Sequence, residues 1–440
     1  MQISTHIINL PSRPERRQAV LKEFENKPEF TVTVVDAIQN EVGLLGLWST
    51  MKQILQDCVQ TEDELILICQ DDHQFTEHYS FEKLQQCIED AKALDADILL
   101  GGVSWFQSAF FSTENLFWTE KFSGLQFAIF FKRFFKPFLD LELDDFDAGD
   151  YRISAFTDRK WVIWPYISTQ QDYGYSDVTL KNNKPERQQT LFRQSEGALN
   201  TLLEVSRYFN KRMLAGFNVS IDLDTVTIPT FIINLPERCD RLAHIRQEFN
   251  GRQEFDITIV EAIKDPVGAL GLWKTIRNIV TTAMENEEDL IIICEDDHVF
   301  TNSYSKQWLV TSILYAHELA ADILMGGPSG GFSHILPITD ELCWINAFYG
   351  SQFMVLYRKI FPLILNEPFD ESVTADNILS QIAANKLSFY PFISVQKDFG
   401  YSDVNDRSLE YRHINYVFEQ STQRFERVVL NFKLYGMRDK

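Results

Sequence analysis

Residues 289–301 read DLIIICEDDHVFT: a short apolar run ends in Cys294, and Glu295, Asp296, Asp297 and His298 follow at once. A run that short reads as a strand buried on both faces. Carboxylates gathered at its C-terminal mouth repel one another unless a proton or a cation comes between them. In an extended segment Glu295 and Asp297 point the same way, with Asp296 opposed. Two hard oxygen ligands on one side, open to solvent, suit Mg²⁺ or Mn²⁺ bridging a diphosphate. His298 is a softer candidate ligand that would favour Mn²⁺, and a histidine beside a strand end also serves as a structural hydrogen-bonder. ELILICQDDHQFT, residues 64–76, repeats the pattern with Gln70 in place of the leading glutamate.

Upstream, INLPERCDR places Arg238 and Arg241 one helical turn apart, and Arg13 and Arg16 repeat them. Guanidinium forks at a helix start can grip a phosphate or a carboxylate bidentately. Arginine is otherwise unfavourable there because it opposes the helix dipole. Downstream, Asp376 opens a predicted helix in VTADNILSQ and reads as an N-cap. Asp398 and Asp403, in QKDFGYSD, are further carboxylates for acceptor or metal contacts.

The elements that must position these groups occur twice. IINL at 7–10 returns at 232–235, GLW at 46–48 returns at 271–273, and ADIL at 96–99 returns at 321–324, all displaced by 225. After one inserted residue the displacement is 226, so that Gln126 matches Gln352, Asp150 matches Asp376, and GYSDV at 174–178 matches 400–404. The pattern predicts two α/β domains, residues 1–217 and 229–440, joined by a linker over 218–228. In each, strands alternate with amphipathic helices, one carrying Leu242, Ile245 and Phe249 and another Trp273, Ile276 and Val280. That alternation predicts a mostly parallel sheet covered on both faces. Ligands bind such sheets outside the carboxyl ends of the strands, where the acidic residues fall.

The chain has 440 residues and a formal charge of −22, which argues against a nucleic-acid partner. Its six cysteines include no CxxC, and the two that recur, Cys69 and Cys294, lie in predicted buried strands. Free thiols in a reducing compartment are expected. MQISTHIINL enters a strand without a basic leader or a long apolar region, so no signal peptide is expected. LQFAIFFKRFFKPFL is too short and too charged to span a bilayer and is expected to be a core strand running into a helix. A cytoplasmic protein without a transmembrane segment is the resulting expectation.

Asn-Leu followed by spaced arginines, GALGLWKTI, the strand into Glu-Asp-Asp, ADILMGG and FISVQKDFGYSDV together resemble glycosyltransferase family 25. That family includes lipopolysaccharide and collagen galactosyltransferases. The resemblance spans most of residues 229–404 and, more weakly, 4–178. It implies tandem GT-A-like, Rossmann-like nucleotide-sugar domains and a divalent metal, Mn²⁺ or Mg²⁺, held by Glu295 and Asp297 with His298. It further implies inverting transfer of a hexose from a UDP-sugar, UDP-galactose or UDP-glucose, to a glycan or peptide hydroxyl. Asp376 takes the base role by analogy, while Asn234, Arg238, Arg241, Asp296 and Gln352 fall to donor binding. The first unit departs from the pattern at Gln70, and has GGVSWF where the second has GGPSGG. Three readings follow: transfer by the second domain alone, transfer by both, or a carbohydrate- or protein-binding pseudoenzyme.

Overall fold

The computed structural model describes residues 1–143, 148–173, 186–216, 222–368, 374–400 and 413–437. It divides into two compact units, residues 1–205 with 431–440, and residues 206–430. The central sheet of the first unit runs, in spatial order, Phe30–Asp36, Ile3–Asn9, Leu65–Gln70, Phe127–Phe131, Ile98–Leu100, Lys160–Ile163, Leu116–Ser123 and Trp105–Thr113. The second unit gives the same order with Phe255–Glu261, Ile228–Asn234, Leu290–Glu295, Phe353–Tyr357, Ile323–Met325, Lys386–Phe389, Leu342–Ile345 and Ile335–Pro337.

Six of the eight strands in each sheet share one direction, so the expected mostly parallel α/β architecture holds. Phe127–Phe131 and Leu116–Ser123 run against the rest in the first unit, as Phe353–Tyr357 and Leu342–Ile345 do in the second. The strand that carries the acidic residues is central in both. Leu290–Glu295 pairs parallel with Ile228–Asn234 on one side and antiparallel with Phe353–Tyr357 on the other. Ile291, Ile292, Ile293 and Cys294 are buried on both faces, as a short run of β-branched residues in the middle of a covered sheet must be.

Helices cover this framework as the apolar spacing predicts. Cys239–Glu248 buries Ile245, and Gly268–Glu285 buries Trp273, Ile276 and Val280. The aromatic segment forms the fully buried strand Phe127–Phe131 and then the helix Lys132–Leu139, which turns Phe134, Phe135 and Phe138 into the core. Among the described residues no helix is long and apolar enough to cross a membrane. Five of the six cysteines are buried free thiols, and Cys239 is exposed.

A second, two-stranded sheet hangs from each mouth. His298–Phe300 pairs antiparallel with Ser394–Gln396, and His73–Phe75 with Ser168–Gln170. The Gly-Gly pair after ADIL makes room for it. A Cβ on Gly327 would stand 2.4 Å from the Ser394 carbonyl oxygen, and one on Gly326 would stand 2.7 Å from the Ser394 Cβ. No larger residue fits without displacing that backbone.

Candidate functional site

In the second unit the chain leaves the large sheet at Glu295, turns at Asp296 and Asp297, and enters the small sheet at His298. The turn alters the expected alternation, because Asp296 does not oppose its neighbours. Arg241 Nη1 lies 3.1 Å from Asp296 Oδ1 and 3.4 Å from Asp297 Oδ2, so one guanidinium spans both. Asn234 Nδ2 donates to the other Asp296 oxygen at 2.7 Å. Asp296 is thereby held between the end of the first strand and the start of the first helix. Asn9, Asp71 and Arg16 make the same tie in the first unit, at 2.9 Å and 3.5 Å.

Asp297 and Glu295 are freer. Gln396 Nε2 approaches the two Asp297 oxygens at 3.4 and 3.5 Å, at the edge of hydrogen bonding. Glu295 accepts from the Ser351 hydroxyl. Burial pushes both carboxyl groups above the ordinary carboxylate range; the charge of Asp297 adds to the rise at Glu295, while Arg241 restrains that of Asp297. The charges of Asp296 and Asp376 also act on Glu295, which locates all four acids around one mouth. A hard cation would relieve this crowding, and oxygen donors suit one. Among the described residues, however, no three His, Cys, Asp or Glu side chains converge as a ready-made metal cluster.

The other predicted residues are placed as follows. His298 is fully buried, with Nδ1 2.7 Å from Ser394 Oγ and its ring against Phe249, Phe300 and Phe353. Burial holds its pKa well below the usual histidine value, so the ring is neutral. This is a core histidine turned away from the acids it follows in sequence. Gln352 is also fully buried; its Nε2 donates to the Gly327 carbonyl at 2.6 Å, bracing the Gly-Gly turn. Asp376 lies in the first turn of the helix Ala375–Ile382, whose N-cap is Thr374. Its carboxylate accepts from Gly350 N at 3.0 Å, from Asn377 N at 2.9 Å and from the Thr374 hydroxyl. Arg238 is the N-cap residue of the helix Cys239–Glu248. Asp398 caps its own turn, accepting from Gly400 N at 2.7 Å. Asp403 and residues 218–221 of the expected linker lie outside the described residues.

The first unit opens into a cleft of about 1230 Å³. Gln70, Asp72 and Asp150 line it with Arg13 and Arg16, so the residues picked out by spacing do share one concavity. Burial, reinforced by Asp71, raises Asp72 to about 7, against the pull of Arg16. Gln170 Nε2 donates to Asp72 Oδ2 at 3.3 Å, as its counterpart Gln396 approaches Asp297. Sequence reasoning passed over this glutamine, although both copies carry it at a displacement of 226. It also passed over Ser351 and over the ring stacked on each second arginine, Tyr173 at 4.3 Å from Arg16 and Phe399 at 4.9 Å from Arg241. The glycines after Gly327 form a tight bridge: Gly330 pairs with Tyr349, and a Cβ on Gly331 would meet the Phe348 backbone at 2.7 Å.

No protein-family model matches the chain, and no curated protein does. Among solved structures it is similar to the mannosyltransferase PcManGT from Pyrobaculum calidifontis in complex with GDP-Man and Mn²⁺, at 11% identity over 52% of this chain and 75% of that chain, with a TM-score of 0.27. An apo UDP-glucose pyrophosphorylase aligns at 10% identity over 51% of this chain and 87% of its own, with a TM-score of 0.27. HddC from Yersinia pseudotuberculosis aligns at 8% identity over 43% and 78%, with a TM-score of 0.23.

Proposed function

We propose that the chain is a metal-dependent glycosyltransferase whose second unit moves a hexose from a UDP-sugar to a glycan or peptide hydroxyl with inversion. The observation that supports this reading most is the placement of Glu295 and Asp297 at the carboxyl end of a central strand, with Glu295 bonded to Ser351 and Asp376 to the adjacent Gly350. Glu295 and Asp297 are the residues assigned to hold Mn²⁺ or Mg²⁺, which would neutralise the departing diphosphate. His298 supports that pair from the core and is not counted among the ligands. Arg238 and Arg241 are assigned to the donor's phosphates, with Asn234, Asp296 and Gln352 keeping the surrounding turns in place. Asp376 is assigned to accept the proton of the attacking hydroxyl, as inversion requires a base opposite the leaving group. Its bonds to Gly350, Thr374 and Asn377 fix its position. We place the protein in the cytoplasm.

A second reading, transfer by both units, draws on the parallel placement of Asn9, Arg16, Asp71, Asp72 and Gln170. Titration calorimetry of UDP with and without Mn²⁺ tests the first reading. Asp297→Asn should abolish the Mn²⁺-linked part of the affinity while the protein still melts cooperatively. Unchanged Mn²⁺-linked affinity in that variant would overturn the assignment.

A further inference from the structure

At four positions the cleft of the first unit is neutral where the second unit's mouth is charged. Its walls carry the amides Gln39, Asn40, Gln70 and Gln171. At the matching positions the second unit has Lys264, Asp265, Glu295 and Lys397. Four charged side chains are thus neutral here, and each replacement still offers both a donor and an acceptor. The serine that hydrogen-bonds Glu295 is matched by Leu125, which also lines the cleft. The charges left on the walls, three arginines against five carboxylates, do not sum to a cationic pocket. A diphosphate without a counter-ion would be repelled more than held.

Aromatic faces accompany the amides. Trp105 and Tyr151 line the same cleft with their rings 5.7 Å apart, and Lys121 Nζ sits 4.0 Å from the Tyr151 ring, fixing its orientation. The second unit has Gly330 and Asn377 at those two positions. Among the described residues, Asp72 Oδ1, on the cleft wall, and Gln126 Oε1 behind it, which a Cβ on the wall residue Gly124 would approach to 3.0 Å, are buried acceptors without a hydrogen-bond partner. A buried acceptor left unmet costs free energy until a ligand or water donates to it. Rings beside a belt of neutral amides, with a waiting acceptor, complement a molecule that has apolar C–H faces and many hydroxyls but no charge. We infer that the first unit's cleft is a metal-independent binding site for a neutral saccharide, seated against Trp105 and Tyr151, with Gln70, Gln171 and Asp72 meeting its hydroxyls. The inference does not depend on transfer by the second unit.

Calorimetry of the full chain in EDTA against lactose, maltotriose and chitotriose provides the test. At least one of the three should bind, and Asp297→Ala should leave that affinity unchanged. Trp105→Ala and Tyr151→Ala should each weaken it about tenfold, the scale of one lost ring contact, while Trp105→Phe retains most of it. UDP affinity in the presence of Mn²⁺ should be the same in the Trp105 variants as in the parent, which also shows that they fold. Failure of all three sugars to bind would overturn the inference. So would binding that requires a divalent ion, or binding that both alanine variants leave intact. Loss of Mn²⁺-linked UDP binding in Asp297→Ala bears on the second unit alone, so the two proposals fail separately.

Discussion

The mouths of the two units share a framework and differ in what it presents. Both tie the middle aspartate to an asparagine and an arginine, and both seat a neutral histidine behind it against a serine. In the second unit the strand ends in Glu295, which accepts from Ser351; in the first the pair is Gln70 and Leu125. The first mouth thus lacks both the charge and its hydrogen-bond donor, so the two mouths differ in chemistry above a shared framework. The lesson is that the asparagine–aspartate–arginine tie builds the mouth, and the residues flanking it decide what the mouth can hold.

The largest effect that could break this comparison is on turnover. Asp297→Ala should remove nearly all UDP-sugar hydrolysis and transfer, and Asp72→Ala should leave most of it; the reverse pattern in steady-state assays would exchange the roles of the two units. Next comes stability. Arg16→Met leaves Asp71 with Asn9 alone; the Arg16 and Asp71 side chains are 5% and 11% exposed, and losing one member of so buried a pair should cost about 3 kcal/mol or more. Denaturant unfolding measures it, and a loss under ~1 kcal/mol would mean that the tie is dispensable.

A graft sharpens the comparison further. Gln70→Glu with Leu125→Ser, made in an Asp297→Ala background, gives the first mouth the second's charge and donor. A unit charge pair at partly screened distances near ~4 Å is worth on the order of 4 kcal/mol. The graft should therefore bring at least a tenfold gain in Mn²⁺-linked UDP affinity by calorimetry, and no gain would place the distinction elsewhere. The smallest effect is on acid stability. Burial depresses His73 from 6.5 to about 3, so between those values the unfolded chain binds a proton that the folded chain refuses. Stability from this group is complete above pH 6.5 and is lost as the pH falls below it. Asp72, raised to about 7, acts with the opposite sign, so the variant is compared with its parent. Melting at pH 7, 6 and 5 should show a shallower acid loss for His73→Asn; equal slopes would contradict the burial of a neutral ring.

Period and displacement made the framework legible. Trp273, Ile276 and Val280 fall on the buried face of their helix, and Cys69 and Cys294 lie in buried central strands. The antiparallel strands were not legible, because Leu342–Ile345 is too short for alternation to declare itself, Phe353–Tyr357 is apolar throughout, and direction in a sheet is decided by pairing. At the site, spacing brought acids and arginines together but did not tell where side chains point. Asp296 was read as if the strand continued, His298 as a candidate ligand or a structural hydrogen-bonder, and Gln352 as a donor contact. Both face the core, where Ser394 meets His298 Nδ1 and the Gly327 carbonyl accepts from Gln352 Nε2, at a distance in sequence that no local pattern reveals.

The two-residue corner at Asp296 and Asp297 is anchored at both ends, by the large sheet before it and the small sheet after it. Lys397 N also donates to the Asp297 carbonyl at 2.8 Å, and Gln171 N to that of Asp72 at 2.7 Å. The backbone beneath Asp297 and Asp72 is therefore already held in one conformation before anything arrives. For a flexible loop, each residue frozen on binding would cost about 1–2 kcal/mol; here folding has met that cost in advance. Whatever the two mouths select, they select it as rigid templates, and a change of side chain at the corner should alter which ligand is held without altering how quickly the site can receive it.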